Sequence, residues 1–108
     1  MRRGNFLLSF LAPPCAVVAM AQTPPPVHNV RPAAGYVPDE ETAIRIARAV
    51  WIPIYGEAAI ARQAPYHAVL KDGVWTVTGS LPKGMLGGVA LAEISKADGT
   101  VLRVSHGK

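Results

Sequence analysis

Tyr55 and Glu57 are the residues of this chain whose types and spacing come closest to an acid–base pair. A phenol and a carboxylate can share the proton transfers of one reaction, as in small α+β isomerases. Such a site needs a pocket of several hundred Å³, and a folded part of about 70 residues leaves little room for one. The sequence therefore favours a protein without catalytic residues over an isomerase built on these two side chains.

Other catalytic and metal-binding patterns are missing from the sequence. Its one cysteine is Cys15, its three histidines show no His-x-x-x-His spacing, and no serine stands in a Gly-x-Ser-x-Gly turn. A thiol nucleophile needs a cysteine in the folded part, and a zinc site needs closely spaced histidines or cysteines. A serine nucleophile is typically found in a Gly-x-Ser-x-Gly turn. We therefore predict that the protein is not an enzyme and has no catalytic residue, no metal and no cofactor.

The composition limits size and partners. The chain has 108 residues, with 11 Lys and Arg against 7 Asp and Glu and a net charge of +4. A chain of this length forms one domain. Because no run of Lys or Arg accompanies the modest charge, we expect no nucleic-acid partner.

Residues 1–21 have the pattern of a signal peptide. Arg2 and Arg3 precede a mainly apolar stretch, which ends in the small-residue motif Ala19-Met20-Ala21. This order is typical of a cleaved export signal. The apolar stretch is shorter than the roughly 20 residues of a membrane span and contains two prolines. We predict cleavage after Ala21, a periplasmic or secreted protein, and no stable membrane insertion after cleavage.

Proline spacing predicts the organisation of the remaining chain. Residues 22–37 carry four prolines, which favours a flexible Pro-rich linker before a single domain over 38–108. Asp39 is a good N-cap for a helix whose apolar residues recur from Ala43 to Ile54 at three- and four-residue spacing. Pro53 predicts that this helix ends or kinks near residues 51–52. A short second helix is expected over 57–63.

Two β-hairpins should follow the helices. Asp72-Gly73 is typical of a two-residue type I′ turn, which pairs Leu70 with Trp75 and His67 with Thr78. The predicted core face of this hairpin carries Ala68, Leu70, Trp75, Val77 and Leu81. The opposite face carries His67, Lys71, Thr76 and Thr78.

The second hairpin spans 89–106. A three-residue loop with Gly99 in the left-handed conformation pairs Ile94 with Leu102, Ala92 with Val104 and Glu93 with Arg103. The predicted fold class is therefore α+β, with one long helix and one short helix packed on an antiparallel sheet of two hairpins.

The segment between the hairpins is the main candidate for a contact site. Met85 and Leu86 stand between Gly84 and Gly87 there, and Lys83 precedes Gly84. The two apolar side chains either tuck under the edge of the sheet or contact a partner. For the second alternative, the predicted partner-binding residues are Lys83, Met85, Leu86 and the outward row His67, Thr76 and Thr78.

Five strings in this order resemble a bacterial family. They are PDEETA at 38–43, WIPIYG at 51–56, LKDGVWTVTGSLP at 70–82, GG at 87–88 and HGK at 106–108. Together they look like the nuclear transport factor 2 fold immunity proteins of polymorphic toxin systems. The resemblance implies a reduced cone-shaped α+β fold and a non-catalytic protein that binds and neutralises a cognate toxin. It also implies that Trp51 and Trp75 are core residues and that Gly56 ends a helix.

Two other interpretations remain open from the residues. A helix followed by paired hairpins is also the plan of cystatin-like or propeptide-like modules, which would make this a small cell-envelope accessory or inhibitor domain for a secreted enzyme. A deep apolar pocket near Trp51 and Tyr55 would instead indicate ligand binding in a cone.

Overall fold

The computed structural model describes residues 28–107, and residues from Arg31 onward form one unit. The predicted signal peptide, the predicted cleavage site and residues 22–27 of the predicted linker lie outside the described residues. The unit contains two helices, α1 (Glu40–Tyr55) and α2 (Glu57–Ala61). Four strands follow, namely β1 (His67–Lys71), β2 (Val74–Thr78), β3 (Ala90–Ser95) and β4 (Val101–His106).

Helix α1 begins where the sequence predicts and ends later. The Asp39 side chain accepts hydrogen bonds from the backbone N–H of Thr42 at 2.8 Å and from its hydroxyl at 2.6 Å. Of the two predicted outcomes near residues 51–52, an end or a kink, the end is wrong, because α1 continues through Pro53 to Tyr55. Proline removes one hydrogen bond from a helix, but tertiary packing can outweigh this loss. The break falls instead at Gly56, whose φ of 95° favours glycine.

One side of α1 forms the helical part of the core. Ala43, Ala47 and Trp51 are buried along it. Two small residues and one large one allow the helix to lie close to the sheet while Trp51 fills the remaining space. Ile54, predicted for the same apolar stripe, is 56% exposed because it lies on the last turn. Helix α2 is shorter than predicted and buries Ile60.

The sheet is an antiparallel meander in the order β1-β2-β3-β4. The predicted pairing of β1 with β2 is confirmed at all five positions from His67–Thr78 to Lys71–Val74. Asp72 and Gly73 have φ values of 51° and 77°, and positive φ at both central residues is the requirement of a type I′ turn. The dipeptide therefore fixes the register as predicted.

The pairing of β3 with β4 differs from the prediction at one position. Ala92–Val104 and Glu93–Arg103 pair as expected, but Ile94 faces Val101 and not Leu102. The register shifts between Glu93 and Ile94, which is a β-bulge with one extra residue on β4. Gly99 adopts the expected left-handed conformation, with a φ of 78°.

The core lies between α1 and one face of the sheet. Trp75, Val77, Ala92 and Ile94 are buried on that face, which confirms the assigned faces of the central strands. Leu70 and Leu81 were predicted for the same core face but are exposed. Leu70 lies on the edge strand β1, and Leu81 has already left the sheet after β2. The fold is thus a helix packed on an open four-stranded antiparallel sheet, as predicted.

The packed unit begins before the predicted boundary at residue 38. Val37 is fully buried, and its backbone N–H donates to the Lys96 carbonyl at 3.0 Å. The indole N–H of Trp75 donates to the carbonyl of Val37 at 2.8 Å. The backbone hydrogen bonds of Tyr36 and Val37 to residues 96–97 thus hold the last part of the predicted linker against the β3–β4 loop, whereas residues 31–34 are exposed.

Candidate binding surface

The unit has two ends of different construction. At the first, which we call the turn end, lie the start of α1, the Asp72-Gly73 turn and residues 96–100. At the second, which we call the loop end, lie the C-terminus of α1, residues 79–89 and the end of β4. Because tight turns leave few free side chains, the loop end offers more surface for contacts.

The loop of residues 82–88 projects its apolar side chains into solvent. Met85 is 57% exposed and Leu86 is 95% exposed. The backbone N–H of Met85 donates to the carbonyl of Pro82 at 3.0 Å, which forms a turn around Lys83 and Gly84. The alternative in which both side chains tuck under the sheet edge is therefore wrong. Lys83 is also exposed beside them.

Hydrogen bonds hold both ends of the segment that carries this loop. Gly79 N–H donates to the carbonyl of Ala90 at 3.0 Å, and Ser80 N–H donates to that of Gln63 at 2.7 Å. The side-chain oxygen of Gln63 accepts from the N–H of Ala90 at 2.8 Å. Gln63 thus ties the segment after α2 to both sides of the loop, and residues 81–87 between these attachments are exposed.

A tyrosine and a histidine meet beside the base of the loop. The Tyr55 hydroxyl lies 3.1 Å from Nδ1 of His106, and the two rings form a T-shaped contact with centroids 5.4 Å apart. Sequence reasoning missed this pair because the residues are 51 positions apart and share no motif. The contact requires α1 to continue past Pro53, which was not predicted.

An open groove of about 340 Å³ runs between α2 and the end of β4. Its lining includes Tyr55, Ala59, Gln63, Val89, His106 and Gly107. Gly88 and Gly107 approach closely at its base, since a Cβ atom at Gly88 would overlap the carbonyl oxygen of Gly107. Aliphatic walls with a Tyr–His pair at the rim suit one apolar side chain of a partner.

The outward row lies on the sheet face opposite α1. His67 is exposed, while Thr76 and Thr78 are half-buried. His67 and Thr78 face each other at the loop end, and Thr76 lies two pairs further along, opposite Val69. The Tyr55–His106 pair lies on the helix side, because His106 faces the buried Ala90. The candidate residues therefore belong to two faces that meet at the loop end.

The structure does not assemble an acid–base site from Tyr55 and Glu57. Glu57 is exposed at the start of α2 and does not line the groove, whereas the Tyr55 hydroxyl contacts His106. Trp51 is fully buried, and its indole N–H donates to the Leu91 carbonyl at 3.3 Å. The space beside Tyr55 is thus an open groove, and Trp51 does not line it. Ligand binding in a cone would need a deep pocket lined by both residues.

Metal-binding clusters and membrane-spanning helices are both absent from the described part of the chain. Residues 28–107 contain no group of three or more His, Cys, Asp or Glu side chains placed to hold a metal ion. Within the same residues, neither helix has the length and hydropathy to cross a membrane.

Shifted carboxyl pKa values occur at the turn end. Hydrogen bonds from the Thr42 side chain and then from its backbone lower the pKa of Asp39. Hydrogen bonds from Thr100, and then from Ser95, lower the pKa of Asp98. Both carboxylates are exposed and have local partners in a cap or a turn, so these shifts reflect structure and not catalysis.

With the fold and surface described, comparison with known proteins defines the class. A family model described as "NTF2 fold immunity protein" matches residues 42–108. The match covers more than half of the chain and includes α1 from its third residue, α2, all four strands and the exposed loop. The chain belongs to this immunity protein family, which confirms the resemblance found in the sequence.

One curated relative matches a shorter part of the chain. The uncharacterized protein YhhH of Escherichia coli strain K12 is 36% identical over 55 residues, which cover 50% of this chain and 43% of that protein. The chain therefore matches less than half the length of this relative. No solved structure matches the chain.

Proposed function

We propose that this protein binds a cognate bacterial toxin and neutralises it without catalysis. Membership of the immunity family supports this proposal most directly. The exposed loop supports it in physical terms, because Met85 and Leu86 place apolar surface in water without covering any part of the core. Bulky apolar side chains at the centre of a contact commonly supply much of its binding energy.

The proposed contact surface consists of the loop tip and the adjoining outward row. Lys83, Met85 and Leu86 supply the tip, and His67, Thr76 and Thr78 extend it across the open face of the sheet. A protein that blocks its target by covering it needs only a rigid, complementary surface. The hydrogen bonds at the base of the loop supply that rigidity.

The site of action in this proposal is outside the cytoplasm. The signal-peptide pattern of residues 1–21 supports it, and the partner would be a toxin that enters or acts in the cell envelope. N-terminal sequencing of the protein from its native host should begin at Gln22. A mature chain that begins at Met1, or one that carries a lipid on Cys15, would contradict export by this route.

The test of function uses the toxin encoded beside this chain. Cells that express the toxin should survive with the wild-type protein and die with the Met85→Ala/Leu86→Ala variant. The matched control is Val101→Ala/Leu102→Ala, which removes two exposed apolar side chains at the turn end. This control should still protect the cells.

Three other results of this protection test would contradict part of the proposal. Failure of the wild-type protein to protect overturns toxin neutralisation. Equal protection by both variants removes the loop from the contact surface. A large fall in the melting temperature of the loop variant alone would show that Met85 and Leu86 stabilise the fold.

A further inference from the structure

The acidic residues of this unit are unevenly distributed between its two ends. Five of the seven acidic residues lie at the turn end. Asp39, Glu40 and Glu41 open α1, Asp72 lies in the first turn, and Asp98 lies in the β3–β4 loop. A sixth, Glu93, is in the middle of β3 and pairs with Arg103 at 3.5 Å. Among the described residues, Glu57 is thus the only acidic side chain at the loop end.

The loop end carries cations without acidic partners. Arg62 and Lys83 are exposed there, and the Arg48 guanidinium lies 5.0 Å from the centre of the Tyr66 ring, directly before β1. Within the described residues, none of these three cations has a carboxylate oxygen within 4.0 Å. Their charge is therefore available to another molecule.

Two of these cations are close in sequence to the apolar features of the loop end. Lys83 lies two residues from Met85, and Arg62 lies one residue before Gln63 of the groove lining. A protein–protein interface typically has a desolvated apolar centre and a charged, hydrated rim, and the loop end offers both kinds of residue. Rim charges contribute mainly to the rate and orientation of association.

We propose that the partner presents an acidic surface to the loop end, with an apolar side chain seated in the groove beside Tyr55 and His106. This inference rests on the proposed function and specifies the chemistry of the partner. At the turn end, the five acidic residues lie near four basic ones, namely Arg31, Arg45, Lys71 and Lys96. The loop end therefore attracts an acidic surface more strongly than the turn end does, and this difference orients the partner before contact.

The first test measures association of the chain with an inactivated form of the toxin encoded beside it. Lys83→Glu and Arg62→Glu should each lower the association rate constant about 3- to 10-fold at low salt. The difference should vanish at about 0.5 M NaCl because the Debye length falls to a few Å. The matched control is Lys71→Glu, which makes the same charge change on an exposed lysine at the turn end and should not slow association.

Three results separate this proposal from the proposed function. If the toxin binds and cells are protected, but Lys83→Glu and Lys71→Glu have equal effects, the acidic surface is overturned and neutralisation stands. Faster association of the Lys83→Glu variant would also overturn the acidic surface. If the wild-type chain neither binds nor protects, neutralisation is overturned and the toxin is excluded as the acidic partner.

A second test needs no toxin. Poly-L-glutamate added to isotope-labelled protein should shift the backbone amide resonances of residues 62, 83–88 and 107, and the shifts should disappear in high salt. Amides of residues 39–41, 72–73 and 98 are the internal reference and should move less. Equal shifts at the two ends, or larger shifts at the turn end, would overturn the proposal.

Discussion

The hydroxyl of Tyr55 lies 3.1 Å from Nδ1 of His106, which joins the last turn of α1 to the last residue of β4. This contact closes one wall of the groove at the loop end. It also links the last residues of two elements that have no other polar side-chain contact with each other among the described residues.

A double-mutant cycle should measure the Tyr55–His106 contact. Tyr55→Phe removes the hydroxyl and keeps the ring, so it should lower the free energy of unfolding by about 0.5–1.5 kcal/mol. In the His106→Ala background the same change should cost less, because its partner is already missing. Urea denaturation of the four proteins provides the values. Strictly additive losses would show that the hydrogen bond does not stabilise the fold.

Trp75 should be the most sensitive residue of the sheet. Its side chain is 6% exposed and its indole N–H donates to the carbonyl of the buried Val37. Trp75→Ala should cost about 3–5 kcal/mol through the cavity and the unpaired carbonyl. Leu102→Ala is the control and should change stability by less than about 0.5 kcal/mol, because Leu102 is exposed. Thermal melting checks both, and a Trp75→Ala variant that melts like the wild type would contradict the described packing.

The Asp39 cap should make stability depend on pH in the acid range. Because hydrogen bonds from Thr42 hold the pKa of Asp39 below its ordinary value of 3.8, the folded state favours the ionised form. This contribution is present above 3.8 and is lost as the pH falls through the lower, folded pKa. The Asp39→Asn variant keeps a capping oxygen but does not titrate. Its melting temperature should therefore fall less than that of the wild type on acidification below this value, whereas parallel curves would contradict the cap's role.

Filling the groove should weaken binding without unfolding the protein. Ala59 lines the groove, while its neighbour Ala58 is exposed on the same short helix. Ala59→Phe should reduce toxin affinity by about tenfold or more, since one excluded anchor side chain is worth roughly 1–3 kcal/mol. Ala58→Phe adds the same ring outside the groove and should bind normally. Calorimetric titration measures the toxin affinity of both variants, and equal affinities would show that the groove does not contact the toxin.

The turn and helix-capping preferences of single residues correctly predicted the β1–β2 register and the start of α1. Asp72-Gly73 determined the β1–β2 register because only one turn type suits that dipeptide in a hairpin. Asp39 marked the start of α1 for a similar reason, since few residue types can cap a helix. The exposed tip at Met85 and Leu86 was one of two stated alternatives, because glycines alone do not decide between a tucked loop and an open one.

Features that depend on distant contacts could not be predicted in this way. Pro53 should end a helix by its own geometry, yet the last turn is retained and Tyr55 reaches His106. The burial of Val37 depends on Trp75, which lies 38 positions later. The bulge on β4 changes only the partner of Ile94 and leaves the pairs of Ala92 and Glu93 as predicted. The alternation of apolar and polar residues along the strands therefore does not reveal it.

The separation of turns from loop has a consequence for how such proteins can diversify. The two tight turns that set the strand register lie at one end of the sheet, and the segment 79–89 crosses at the other. Backbone hydrogen bonds from Gly79 to Ala90 and from Gly107 to Val89 complete the sheet at the base of that segment, so the tip makes no part of the strand pairing. Mutations, insertions and deletions at residues 83–86 can therefore accumulate without a change of register. For a protein that recognises its toxin through this loop, as proposed above, the contact surface can change while the strand register stays constant.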